Sequence, residues 1–189
     1  MGFGRDVRIS LSTRFIDTTI VLILSLVIRL VVLCVLLWLA IIDVRTRRLP
    51  TGIVLTIGAL FFADAFLIGL SIDDVLIHLL LALGVFLFCA VLFAAKMLGG
   101  GDAKLAAVIF LWVGLSLSLP ALTLISVIGT VVSLISLATR NMNPAAHAHP
   151  VRAIAMFSGA RGVPYGVALA LGGGAVIVLP ALIPLLSTR

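Results

Sequence analysis

The chain has 189 residues, of which 63% are apolar and only 11% are charged: 13 Lys or Arg, seven Asp and no Glu. A soluble domain typically has roughly 45–50% apolar and about 25% charged residues, so this composition excludes a soluble globular protein and predicts an all-α, polytopic membrane protein. A net charge of +6 on so apolar a chain is typical of loop arginines that fix membrane orientation, and we expect no nucleic-acid partner.

Six apolar runs predict six transmembrane helices in a single membrane-embedded domain, residues 1–189. We expect a basic, amphipathic arm at residues 1–19 to lie in the membrane interface. The first run is too long for a secretory signal, whose apolar region usually has about 7 to 15 residues. The fourth and fifth runs are separated only near Pro120, a residue that starts helices well. The predicted spans are residues 20–42, 53–70, 75–95, 103–119, 121–138 and 164–186.

The distribution of loop charges predicts the orientation in the membrane. Six spans place the loops 43–52, 96–102 and 139–163 on one face, which has eight cations when Lys104, just after the second of these loops, is included. The other face has four cations, together with Asp73 and Asp74 in a short predicted loop. Because cytoplasmic loops carry an excess of Lys and Arg, we expect the first face to be cytoplasmic.

Ionisable side chains at membrane depth are costly and need partners. Asp64 lies inside the second predicted span but close to its end, and we expect it to be partly hydrated or to pair with Arg29 in the first span or His78 in the third. His147 and His149 form a His-x-His pair in the long loop. Because no third ligand has a clear spacing to them, we expect no metal site there.

Two aspartates lie at predicted helix ends that share one face of the membrane. Asp43 closes the first span, and Asp102 opens the fourth span after Gly99, Gly100 and Gly101. Two carboxylates within hydrogen-bond reach share one proton, so one can activate water while the other polarises a peptide carbonyl. The glycines suit close approach of a substrate backbone. The alternative is structural, with Asp43 paired to neighbouring arginines and Asp102 acting as an N-cap.

Three segments carry a resemblance to a known family. Residues 98–105 resemble the Gly-x-Gly-Asp-x-Lys (GxGD) signature of the type IV prepilin peptidases, which are membrane-embedded aspartic proteases. Residues 43–50 are similar to the first-aspartate motif of that family, although Thr51 stands where the family often has Asn. Residues 163–166 resemble the Pro-Tyr start of the last helix in the family.

The resemblance implies that Asp43 and Asp102 are the catalytic pair, with Gly99, Gly101 and Lys104 as supporting motif residues. The implied enzyme is a hydrolase, an aspartic endopeptidase that uses no metal or organic cofactor. It would cut prepilin-like substrates of type IV pilus systems after a leader glycine, at the cytoplasmic face of a prokaryotic inner (plasma) membrane. The chain lacks the methyltransferase insertion and the Cys-x-x-Cys motif of the long members. It is therefore similar to the short tight-adherence (Flp) pilus branch, while archaeal preflagellin peptidases share the scaffold.

Two other classes of protein stay open at this point. One is a non-enzymatic membrane protein, either a subunit of a secretion complex or a small transporter that uses Asp64, Arg29 and Asp43 as a charged pathway. Transporters often have inverted repeats, and the sequence shows no such symmetry. The other is a presenilin-like protease that cuts inside a transmembrane segment, which the position of cleavage would distinguish.

Overall fold

The computed structural model describes residues 3–46, 49–138 and 165–187, and every regular element within these ranges is an α-helix. This confirms the prediction of an all-α polytopic bundle of about six helices. His147 and His149 lie outside the described residues, so the expectation for them stays a prediction. The helices are α1 (Phe3–Thr46), α2 (Thr51–Leu67), α3 (Ile72–Ala94), α4 (Gly100–Val113), α5 (Ser118–Ala138) and α6 (Tyr165–Ser187).

The helices of the described chain fall into two length classes. Segments of α1, α3, α5 and α6 are long and apolar enough to cross a membrane. Helices α2 and α4 have only 17 and 14 residues. At 1.5 Å per residue they span about 25 and 21 Å, less than the roughly 30 Å of a hydrocarbon layer. Because exposed backbone at membrane depth needs protein or water beside it, the ends of these two helices depend on their neighbours.

The boundary between the fourth and fifth helices differs from the sequence prediction because a glycine ends α4. Helix α4 ends at Val113 and not at residue 119, since Gly114 follows it with a φ of 65° that favours glycine. Helix α5 then begins at Ser118, which places Pro120 in its first turn. Helix α1 runs unbroken from Phe3, so the described part of the predicted arm, residues 3–19, is continuous with this helix. Its location in the membrane interface stays a prediction.

Asp73 and Asp74 belong to the first turn of α3 and not to the loop that was predicted there. Ser71 is the N-cap, and its Oγ accepts a hydrogen bond of 3.1 Å from the Asp74 backbone N–H. The same hydroxyl donates to Asp74 Oδ2 at 2.6 Å. This Ser-x-x-acid arrangement satisfies free groups at the helix start and places negative charge at the positive end of the helix dipole.

Helix α6 is the centre of the bundle. In its membrane-spanning segment 61% of the residues are buried, compared with 6% of the residues in the corresponding segment of α3. Gly172, Gly173 and Gly174 each face a different neighbouring helix, where an added Cβ would come within 2.5–2.7 Å of a side chain. These three glycines therefore let three helices approach α6 at one level of the bundle. The side chains that they face are Ile125 on α5, Ile109 on α4 and Leu33 on α1.

A polar cluster in the interior joins three helices. Arg29 Nη2 of α1 forms an ion pair with Asp64 Oδ2 of α2 at 2.9 Å, and Ser25 Oγ donates to Asp64 Oδ1 at 2.5 Å. Arg29 Nη1 also donates to the Ile177 carbonyl of α6 at 3.2 Å. His78 instead contacts a backbone carbonyl of α4 at 2.6 Å through Nδ1. The prediction that Asp64 pairs with Arg29 or His78 is therefore confirmed for Arg29.

Candidate active site

Four helix ends converge at one end of the bundle. They are the carboxyl end of α1 and the amino ends of α2, α4 and α6. Contacts between these ends hold them together. Both aspartates singled out from the sequence lie at this end, which we call the carboxylate end. The opposite end contains Ser71, Asp73 and Asp74 at the start of α3.

Asp43 lies in the last turn of α1, and its residue surface is only 5% exposed. The Gly166 backbone N–H, in the first turn of α6, donates to Asp43 Oδ2 at 3.0 Å. N–H groups in the first turn of a helix have no partner within the helix, and the helix dipole is positive there. The start of α6 therefore supplies an environment that stabilises a buried carboxylate.

Gly166 has little freedom to carry a side chain. An added Cβ would lie 2.7 Å from Asp43 Oδ2 and 2.9 Å from Asp43 Cγ. The carboxylate thus occupies the space that any larger residue would fill. The sequence analysis included Gly166 only as part of the Pro-Tyr segment at residues 163–166 and missed this contact. The sequence feature that could have predicted the contact is the position of Gly166 in the first turn of a helix, where free backbone N–H groups bind anions.

Asp102 lies in the first turn of α4, with Gly99 as the N-cap residue. It is therefore not the N-cap that the structural alternative proposed for it. Its side chain folds back toward the start of the helix, since a Cβ on Gly99 would lie 2.7 Å from Asp102 Oδ2. Like Asp43, this carboxylate lies at the positive end of a helix dipole.

Gly101 and Lys104 attach the start of α4 to the turn between α1 and α2. A Cβ on Gly101 would lie 3.0 Å from Leu49 Cβ, so glycine permits the close approach of this turn. Lys104 Nζ donates a hydrogen bond of 3.1 Å to Thr51 Oγ1 at the start of α2. Thr51, the position that departs from the family pattern, thus takes part in the contact between the two aspartate segments.

A cavity of about 580 Å³ borders Asp102. Residues of α3, α4, α5 and α6 line it, among them Cys89, Ala106, Thr130 and Tyr165. Asp43 is not among its lining residues, although the next residue after Tyr165 is the one that binds Asp43. The first turn of α6 therefore contacts Asp43 through Gly166 and borders the Asp102 cavity through Tyr165.

The described residues contain no group of three His, Cys, Asp or Glu side chains with the geometry of a metal site. Among the described residues, the ionisable groups at the carboxylate end include Asp43, Asp102, Tyr165 and surface cations such as Arg45 and Lys104. Such a set suits proton transfer between carboxylates and a bound water.

The fold and these residues define a class, namely polytopic helical membrane proteins with two carboxylates at helix ends on one side of the bundle. A model of the type IV leader peptidase family matches residues 30–134, more than half of the chain. The chain therefore belongs to the type IV leader peptidase family and is a multi-pass membrane protein of a peptidase class. The matched range contains both Asp43 and Asp102. No curated protein and no solved structure gives a match.

Proposed function

We propose that this protein is a membrane aspartic endopeptidase that removes the leader peptide from prepilin-like substrates, with Asp43 and Asp102 as its catalytic pair. The observation that carries the proposal is the placement of both carboxylates around the first turn of α6, in a chain of the type IV leader peptidase family. Among the described side chains, Asp64 lies in the interior ion pair with Arg29, and Asp73 and Asp74 lie at the start of α3. No other described aspartate side chain therefore lies at the carboxylate end.

The chemistry requires one ionised and one protonated carboxyl group. The ionised group accepts a proton from water as the water oxygen attacks the scissile carbonyl carbon, and the protonated group donates its proton to the carbonyl oxygen. The tetrahedral intermediate then collapses and the C–N bond breaks: the leaving nitrogen takes the proton that the first carboxyl group had accepted, and one hydroxyl of the intermediate returns a proton to the second carboxylate.

The glycines of the proposed site have a physical role in this scheme. Gly166 and Gly99 each leave space for one carboxylate, while Gly101 brings the α1–α2 turn against the start of α4. Lys104 reinforces that junction through Thr51. These contacts keep both aspartate segments at the same end of the bundle.

The proposed location follows from charge and from the substrate. The carboxylate end has the cations of the predicted cytoplasmic loops, so we place the site at the cytoplasmic face of a prokaryotic inner membrane. A prepilin substrate would have its leader in the cytoplasm and its apolar segment in the bilayer. Cleavage after the leader glycine would then occur where the two meet.

The test is a cleavage assay in membranes with a panel of prepilins, using native protein and the isosteric variants Asp43→Asn and Asp102→Asn. We expect each variant to insert normally and to lose cleavage by at least about 100-fold, the usual scale of acid–base catalysis. Mass spectrometry of the products locates the cut. Asp73→Asn at the opposite end is the matched control, and we expect it to cleave like the native protein.

Retained cleavage in either aspartate variant would refute the catalytic pair. A cut within the apolar segment, and not after the leader glycine, would favour a presenilin-like protease. If folded native protein cleaves no prepilin, the result would favour the interpretation as a non-enzymatic membrane protein.

A further inference from the structure

The cavity beside Asp102 is a groove that runs from the carboxylate end toward the middle of the bundle. Along α5 its lining extends from Leu137 to Ile125, which corresponds to about 18 Å of helix. This is more than half of a hydrocarbon layer of roughly 30 Å. The groove exists because α5 packs mainly on α6 while α3 packs mainly on α4, which leaves a gap between α3 and α5.

The lining of the groove is suited to an apolar occupant. Among the described residues that line it, Asp102 is the only one that carries a charge. The charge is therefore confined to the end of the groove where the proposed chemistry takes place.

Small residues form much of the groove surface. Ala106 of α4, Gly129 of α5 and Ala168 of α6 contribute surfaces without long side chains. Ser126, Thr130 and Ser133 follow each other on one face of α5 at spacings of four and three residues. Small and hydroxyl side chains are typical of surfaces that receive a helix in a membrane, because they allow close backbone approach and polar contact.

We propose that this groove binds the apolar transmembrane helix of the substrate, the segment that follows the scissile bond, and that α5 is its specificity-determining wall. The inference rests on the proposed function, since Asp102 links the groove to the catalytic pair. A substrate helix seated between α3 and α5 has its amino end at the carboxylate end of the bundle. The bond to be cut then lies beside Asp102, and the leader extends out of the groove toward the cations there.

The first test blocks the groove with a large side chain at Thr130. The neighbouring residue Val131 is 51% exposed and does not line the groove, so Val131→Trp is the matched control for Thr130→Trp. We expect Thr130→Trp to lower kcat/KM on a full-length prepilin by about tenfold or more, through KM. Cleavage of a short peptide that contains the leader but lacks the apolar helix should be the same in both variants. Equal cleavage of the full-length substrate by both variants would overturn the proposal.

The second test does not depend on activity. In an Asp102→Asn background with Cys34→Ala and Cys89→Ala, single cysteines at Thr130 or Val131 are oxidised in membranes against a prepilin with one cysteine in its apolar helix. We expect a disulfide-linked product for Thr130→Cys and none for Val131→Cys. Equal yields at the two positions would mean that lipid, and not substrate, fills the groove, which would overturn the proposal.

The two proposals fail in different ways. If native protein cleaves prepilin and the Thr130 variants behave like the Val131 variants, only the groove assignment is wrong. If native protein cleaves no prepilin, the proposed function is wrong and the substrate of the groove is wrong with it.

Discussion

Gly166 contacts the buried Asp43 carboxylate through its backbone and leaves room for it by having no side chain. Its backbone N–H donates to Asp43 Oδ2, and its missing Cβ leaves the space that the carboxylate occupies. Substitution would retain the N–H group but would displace the carboxylate from it. The placement of Asp43 thus depends on a contact between residues 123 positions apart.

We predict that Gly166→Ala abolishes or strongly reduces prepilin cleavage, because the new Cβ would force Asp43 or the first turn of α6 to shift. Such overpacking costs about 1–3 kcal/mol of stability, which should leave the protein folded. The measurement is the cleavage rate in membranes together with the amount of inserted protein. Gly84→Ala in α3 is the matched control, because a Cβ at Gly84 has no heavy atom within 4 Å.

Native rates in Gly166→Ala would show that Asp43 tolerates displacement from the start of α6. That result would remove the argument that links this helix to catalysis.

At the scale of elements, the described part of the bundle is connected by close helix contacts at glycines and by an interior ion pair between Arg29 and Asp64. The Arg29 side chain is 19% exposed and the Asp64 side chain 3% exposed, so the pair is largely removed from water. Arg29 links α1 to α2 through Asp64 and to α6 through the Ile177 carbonyl. The Trp112 ring of α4 lies 5.9 Å from the guanidinium carbon, and its Nε1 donates to the Ile57 carbonyl of α2 at 2.9 Å.

We predict that Asp64→Ala lowers the free energy of unfolding by about 3–5 kcal/mol, because it leaves the Arg29 charge buried without its partner. The double variant with Arg29→Met and Asp64→Ala should be more stable than Asp64→Ala, since it removes the uncompensated charge. Thermal unfolding in detergent measures both effects. Asp73→Ala, at the exposed start of α3, is the control for removal of an aspartate.

The single variant Arg29→Met completes the comparison. If the stability loss of the double variant equals the sum of the losses in Asp64→Ala and Arg29→Met, the pair has no coupling energy. The interior ion pair would then not be the contact that stabilises the three helices.

The whole molecule has different charges at its two ends. Arg45, Lys96 and Lys104 lie at the carboxylate end, while Asp73 and Asp74 lie at the opposite end. This asymmetry favours one orientation in the membrane, with the carboxylate end in the cytoplasm.

We predict that a membrane-impermeant thiol reagent labels Met97→Cys only in inside-out vesicles and Asp73→Cys only in intact spheroplasts. Both variants are made in a background with Cys34→Ala and Cys89→Ala. The native residues Met97 and Asp73 are both exposed. Met97 lies between α3 and α4 at the carboxylate end, so its label reports the side of the proposed site. The reverse pattern would place the site outside the cytoplasm and contradict the proposed location.

Much of the fold could be predicted from sequence because its causes are local. Runs of apolar residues indicated six helices, and the high cost of an unpaired charge in the membrane predicted a partner for Asp64. Boundaries were less predictable, because the end of α4 depends on the positive φ of Gly114 and the start of α3 on the Ser71 cap. The helix-end positions of Asp43 and Asp102 were also visible as sequence spacing.

The sequence by itself determined the class of protein, the six helices of the described residues and the two candidate carboxylates, since hydropathy, charge and glycine spacing act over short distances along the chain. Only the tertiary structure decided that α6 is the central helix, that Gly166 binds Asp43 and that Asp102 faces a groove beside α5. These features depend on which helix faces pack together. Contacts between distant residues leave no regular pattern in one sequence, because each helix face is apolar toward lipid and toward protein alike.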